Sequence, residues 1–369
     1  MGLAMVDDAP AAAARRGVEG MTLGEMEVVR NILRGSSVVD WRRLHFRDAT
    51  EVDHFLRLNL LDPDDPADEA RLRAILAQAV EYLRKAFGYR VAEIVSEPRD
   101  LRDLFLLASG AADPHKYRRI ACVVLKCMHV VHHLEARELL FRTAIREADL
   151  AERVDRRVMA EARRMQQLGL PVLEFVGNVK SRSSLITKLL VKRETVAAQI
   201  FDRVRYRIVT ERQDQIPVVL HHLTTSLFPF NYVVPGQTQN TLVRFRELVG
   251  RHPSADALVA ELQAPLDIEA IDPKPLNEFS AEDYRVLNFV VDLPVRIDEL
   301  LPAGAGVGED LGRVVFSLVE FQVVDAATAR HNEEGESSHA RYKNRQKKRV
   351  LRRLSRGLVV PKRRKRGRG

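Results

Sequence analysis

Between Gly169 and Pro171 the apolar residues of this chain stop recurring every three to four positions and begin to recur every two. Glycine and proline end helices, and a change of period changes the element that can form. Upstream, residues 22–34 are helical, with Thr22 as N-cap and Glu25 three positions on, a capping box. A Pro/Asp loop over 62–68 leads into a helix over 69–87. Residues 117–147 read as one or two helices, and 150–169 as another, rich in Arg and Glu. Downstream, strands are expected over 172–176, 199–210, 284–295 and 313–325. The last two are the clearest, β-branched and bounded by Pro and Gly. Helices fall at 181–193 and 214–227. Residues 231–271 read as irregular, with a helical piece at 255–263. Irregular alternation of helix and strand after a helical first half implies an α+β fold with a mixed sheet.

At 369 residues the chain has room for two cores. It is 46% hydrophobic and 30% charged, the balance of a soluble globular protein. No apolar run approaches the ~18 residues of a membrane helix, so no membrane partner is expected. The Ala-rich start with Asp7 and Asp8 lacks the basic-then-apolar order of a signal peptide. Cys122 and Cys127 sit five apart in an apolar helical pattern, off a common face, and read as core thiols of a cytoplasmic protein. The net charge of +8 is unevenly spread. Residues 341–369 hold 15 Lys or Arg and no acid, which leaves −7 for residues 1–340. The basic excess is a tail on an acidic body, a pattern that fits polyanions.

Four groups of residues could carry chemistry. Glu320 and Gln322 are two apart on a strand and share a face; Glu333, His339, Tyr342 and Lys343 follow. Lys180, Ser184 and Lys188 are spaced four apart, along one side of a helix starting near Lys180. Two cations and a hydroxyl at a helix N-terminus suit a polyphosphate; a solvated lysine face is the alternative. Asp202 and Arg207 belong to the strand over 199–210, where Asp202 is a metal-ligand candidate or a surface charge. His129, His132 and His133 share a helix face, followed by Glu135. Two of these rings could bind a metal, or all three could serve helix packing.

In chain order, these blocks resemble a RelA/SpoT-type (p)ppGpp synthetase domain. Residues 177–189 resemble G-R-V-K-S-x-x-S-I-x-x-K-M, and residues 200–209 resemble I-Y-D-L-x-A-I-R-I-I-V. Residues 284–291 resemble the end of N-G-Y-R-S-L-H-x-V-V, and residues 319–343 resemble V-E-x-Q-I-R-T followed by A-E-x-G-x-A-A-H-W-x-Y-K. The resemblance spans about residues 171–345. It implies a nucleotidyltransferase-like fold and transfer of pyrophosphate from ATP to the 3′-hydroxyl of a guanine nucleotide. It implies Mg2+ held by Asp202 and Glu320, with Glu320 as base and Gln322 beside it. Lys180, Ser184, Lys188 and Arg207 would take ATP phosphates, and Tyr284 and Arg285 the guanine nucleotide. The chain departs from the pattern at Asn178, Glu282, Asp283 and Asn288. It lacks a lysine after residues 231–235 and carries an insertion at about 233–280. No His-Asp dipeptide occurs, so the hydrolase activity of long synthetases is not expected.

The expected organisation is therefore 1–20 disordered, 21–170 α-helical, 171–345 synthetase-like, and 346–369 a basic disordered tail. Two other readings fit: a non-catalytic RNA- or ribosome-associated protein that keeps the fold, and an enzyme that pyrophosphorylates RNA 3′ ends. In both, Lys347, Lys348, Arg349, Lys362, Arg363 and Arg364 would contact RNA. The tail has almost no aromatic residues, which argues against sequence-specific reading. Deleting residues 345–369 should weaken RNA binding at least ~10-fold at about 50 mM salt and flatten its salt dependence. Fluorescence anisotropy on a labelled RNA measures both; equal affinities at low and moderate salt would contradict a nucleic-acid role for the tail.

Overall fold

A computed structural model describes residues 17–35, 46–179, 182–191, 204–250, 252, 284–301, 311–334, 348–352 and 354. Among the described residues seven α-helices precede the first strand: α1 (Leu23–Arg34), α2 (Ala49–Leu58), α3 (Pro66–Phe87), α4 (Glu93–Ser96), α5 (Leu101–Ser109), α6 (Arg118–Arg142) and α7 (Glu147–Gln167). Thr22 and Glu25 form the expected capping box at α1. Helix α3 begins three residues earlier than its pattern suggests. Asp65 is its cap, accepting from the amides of Ala67 and Asp68, with Pro66 in the first turn. Asp68 is buried and receives the Asp62 amide and Arg296. The segment 117–147 is one helix, α6, and a break before α7.

The second half contributes β1 (Val172–Val179), α8 (Arg182–Val191), β2 (Val204–Thr210), α9 (Ile216–Ser226), β3 (Gln239–Asn240), α10 (Phe245–Val249), β4 (Leu287–Arg296), β5 (Val314–Asp325) and α11 (Ala326–Glu333). The expected helical piece at 255–263 and the residues after Glu334 up to Lys347 lie outside the described residues. The sheet order is β1-β2-β5-β4-β3. The β2–β5 pair is parallel and the other neighbours are antiparallel. The fold is thus α+β with a mixed five-stranded sheet.

One face of the sheet is aromatic. Tyr206, Phe321 and Phe289 occupy one register row, with ring centroids 5.7 and 5.5 Å apart, and Phe228 lies 5.5 Å from Phe321. All four are fully buried, and each contributes on the order of 2 kcal/mol through area removed from water. In the same row on β1 stands Gly177. A Cβ there would sit 2.7 Å from Tyr206 Cε1 and 3.1 Å from Asp155 Oδ1. The missing side chain lets the Tyr206 ring pass beneath β1, so that its hydroxyl donates to Asp155 of α7 at 3.0 Å.

The cores do not divide at residue 170. Val18, Met26, Val29 and Ile32 from the start of the chain, and Val154 and Val158 from α7, pack in one cluster with the aromatic sheet face. A second cluster unites α2 through α6 and includes Val314 from β5. Both α1 and α7 are strongly amphipathic, and only the sheet offers their apolar stripes enough surface. The folded chain also begins before residue 21: residues 17–20 form a 3₁₀ turn that buries Val18. Cys122 and Cys127 are free, half-buried thiols against the helical cluster, and Cys122 Sγ donates to the Ala108 carbonyl at 3.3 Å.

Gly177→Ala should lower the urea midpoint by the equivalent of ~1–3 kcal/mol, the ordinary cost of overpacking. An unchanged midpoint would mean that the Tyr206 ring moves aside freely.

Candidate nucleotide site

The other face of the same strands is polar. The register sets Asn178, Arg205, Glu320 and Val290 in one row across β1, β2, β5 and β4. The next row holds Val176, Arg207, Gln322, Asn288 and Gln239. Successive same-face rows lie ~7 Å apart along a strand, so the seven polar side chains of these two rows share one face of the sheet. The three sequence-distant blocks around residues 178, 205 and 320 meet here because their strands are consecutive neighbours.

Glu320 is buried, with its side chain only 5% exposed, and Arg205 Nε donates to its Oε2 at 2.8 Å. Arg207 Nη2 donates to Glu333 Oε1 at 3.0 Å. Glu333 is delivered by α11, which starts immediately after β5 because Asp325 accepts from the amides of Ala327 and Thr328. Asn332 on the same helix clamps the residue before β4's entry: its Nδ2 donates to the Arg285 carbonyl at 2.6 Å, and its Oδ1 accepts from the Arg285 amide at 3.2 Å. Tyr284 is half-buried against the core. Burial pushes its hydroxyl pKa up, while Arg205 and Arg207 pull it down and Glu320 raises it, so the ring lies within the field of all three. Arg285 is exposed. Gln239 Nε2 and Asn288 Oδ1 are buried without a hydrogen-bond partner among the described residues.

The structure thus brings Glu320, Gln322, Arg207 and Tyr284 together. Ser184 and Lys188 belong to α8, which begins three residues after the end of β1. Lys180, Asp202, Glu282 and Asp283 lie outside the described residues, as do Lys347, Lys362, Arg363 and Arg364. Lys348 and Arg349 are exposed helical residues. Sequence reasoning missed Arg205. Its signal was available: Arg205 stands where the resembled pattern I-Y-D-L-x-A-I-R has alanine. Asn288 stands where that family has histidine.

Below Glu320 the same face is roofed by α6. His133 stacks on Phe316 with centroids 4.1 Å apart and planes at 5°. His133 Nε2 lies 3.6 Å from Asp292 Oδ2, and His129 Nδ1 lies 3.0 Å from Asn231 Nδ2. The three histidines therefore pack α6 onto the sheet. Among the described residues no three His, Cys, Asp or Glu side chains are grouped to hold a metal. At Glu320 the position beside the carboxylate is filled by a guanidinium. Asp202, the other carboxylate expected at that position, lies outside the described residues.

No family model matches the chain, and neither does any curated protein. Several solved structures are similar over part of it. The small alarmone synthetase 1 from Bacillus subtilis bound to its product pppGpp is 15% identical, over 56% of this chain and 86% of that one, with a TM-score of 0.30. The small alarmone synthetase 2 from Bacillus subtilis is 14% identical over 60% and 98%, with a TM-score of 0.29. A GTP pyrophosphokinase family protein from Streptococcus pneumoniae is 13% identical over 56% and 84%, with a TM-score of 0.27. No helix among the described residues is long and apolar enough to cross a membrane.

The roof makes stability depend on pH. Burial, with like-charge repulsion from His133 and then Arg71, pushes His132 down to about 3. Burial pushes His133 down to about 4 against the pull of the His129 carbonyl, and pushes His129 down as well. A depressed histidine pKa means stability present above ~6.5 and lost as pH falls below it, about 2 kcal/mol each for His132 and His133 by pH 5. Asp292 runs the opposite way. Burial raises it to about 7, so its contribution grows by about 2 kcal/mol over the same interval. Three histidines outweigh one aspartate, and the urea midpoint should fall between pH 7 and pH 5. A midpoint that rose would mean that the rings are already charged in the folded protein.

Proposed function

We propose that the polar sheet face binds ATP and a guanine nucleotide and catalyses pyrophosphoryl transfer from ATP to the acceptor's 3′-hydroxyl. One observation carries this reading: three blocks separated by up to 140 residues meet in a single register row. There they set a carboxylate against Arg205, one row from Arg207 and near the Tyr284 ring. In this reading Arg205, Arg207, Lys180, Ser184 and Lys188 hold phosphate oxygens, and Asp202 would hold the Mg2+ that accompanies ATP. Tyr284 stacks on the purine and Arg285 lies at its rim. Asn288 and Gln239 offer one acceptor and one donor to the ligand. The 3′-oxygen attacks the β-phosphorus, the bond to the α,β-bridging oxygen breaks, and AMP leaves. Glu320 takes the hydroxyl proton and Gln322 orients the hydroxyl. Magnesium enters as the ion that ATP carries in solution, part of the substrate. Charge on the moving phosphates and positioning of the nucleophile are what phosphoryl transfer requires.

The Arg205–Glu320 pair supports a second reading. The guanidinium already occupies Oε2, where an attacking hydroxyl would have to be held, which suits a nucleotide- or RNA-binding protein that performs no transfer and uses its basic tail on RNA or the ribosome. Incubation with ATP labelled in the β-phosphate, with GTP, GDP or bulk tRNA as acceptor, separates the readings. Label should appear on a guanine nucleotide, and Glu320→Gln should slow its appearance on the order of 10²-fold. Label on tRNA would instead favour an enzyme acting on RNA 3′ ends. Label on no acceptor, with ATP still bound, would favour the binding protein.

A further inference from the structure

The described part of the polar face holds two carboxylates withdrawn from water, Asp292 beneath α6 beside His133 and Glu320, and the counter-charge of Glu320 comes from the neighbouring strand. Arg205 and Glu320 are register partners on parallel strands, so the pair is set by the sheet and not by a flexible loop. The carboxylate is 5% exposed and the guanidinium 28%. A buried carboxylate needs a partner, and this one has it at 2.8 Å on Oε2. A divalent ion on this carboxylate, bound at ~2.1 Å, would have to displace the guanidinium from Oε2 or sit on Oε1 against its positive charge. Arg207, one row away, is engaged by Glu333. The cationic side of the cleft is therefore covalent to the chain.

We propose that Arg205 is the resident cation of Glu320, taking the place of a divalent metal, so that nucleotide phosphates bind this face without a metal ion on Glu320. Arg205 is a positioning residue: it neutralises the carboxylate and presents fixed positive charge to phosphate. The nucleotide half of this proposal rests on the reading above; the metal half stands without it.

Manganese titration of the full chain, followed by electron paramagnetic resonance, tests the metal half. Wild type and Glu320→Gln should bind the same number of Mn2+ ions. Arg205→Ala should gain one site, and Arg205→Ala combined with Glu320→Gln should lose it again. A wild-type site that disappears in Glu320→Gln, or an Arg205→Ala variant that gains none, would overturn the proposal. If Arg205→Ala does not fold, the comparison of wild type with Glu320→Gln still decides. For the nucleotide half, a fluorescent ATP analogue should bind the wild type within about threefold of the same affinity in EDTA and in Mg2+. Binding weaker by about tenfold or more in EDTA would overturn that half. No binding in either condition would refute the nucleotide reading itself, while the manganese result would stand.

Discussion

A strand paired on both sides leaves its side chains two directions and no more, and β5 is such a strand. Between β2 and β4 it turns Val319, Phe321 and Val323 to the aromatic core and Phe316, Glu320 and Gln322 to the opposite face. Core and site are thus one object seen from two sides. A slip of one residue would bury the carboxylate among Tyr206, Phe228 and Phe289 and expose three rings or branched chains. The packing that gives the sheet its stability also fixes Arg205 opposite Glu320.

Of the six buried acids among the described residues, all but Asp325, which caps α11, meet a basic side chain. Glu27 meets Arg30, Asp68 meets Arg296, Glu135 meets Arg71, and Glu161 meets His222. Glu320 meets Arg205 in the same way, but at the edge of an open face instead of inside a helical interior. Removing one partner of such a pair leaves a charge with neither water nor counter-ion, which is costly. The physical need to neutralise Glu320 and the chemical need for cations near phosphate are met by one side chain.

The helical first half is part of the site's construction. Helices α1 and α7 complete the core behind the sheet, and α6 covers its polar face below Glu320 through His133 and Phe316. The covering sets imidazole rings against Phe316 on the polar side of the sheet. It also concentrates neutral histidines beside Asp292, a burden in acid that the stacking with Phe316 and Tyr232 must offset.

Period and punctuation determined much of this by themselves. The capping box at Thr22, the stop at Gly169, the strands around residues 290 and 320, and the shared face of Glu320 and Gln322 are local properties, written in spacing and in cap chemistry. Element ends were less legible: Asp65 and Asp68 are both capable caps, and only the buried partner Arg296 assigns Asp68 to another task. Tertiary structure alone decided that α1 and α7 belong with the sheet, because an amphipathic stripe does not name the surface that it will cover. It alone decided that Asn178, Arg205 and Glu320 fall in one row, since strand order and register link residues far apart in sequence. And it alone decided what stands beside Glu320: the sequence shows an arginine in place of the pattern's alanine, but only the parallel pairing of β2 with β5 puts that guanidinium on the carboxylate.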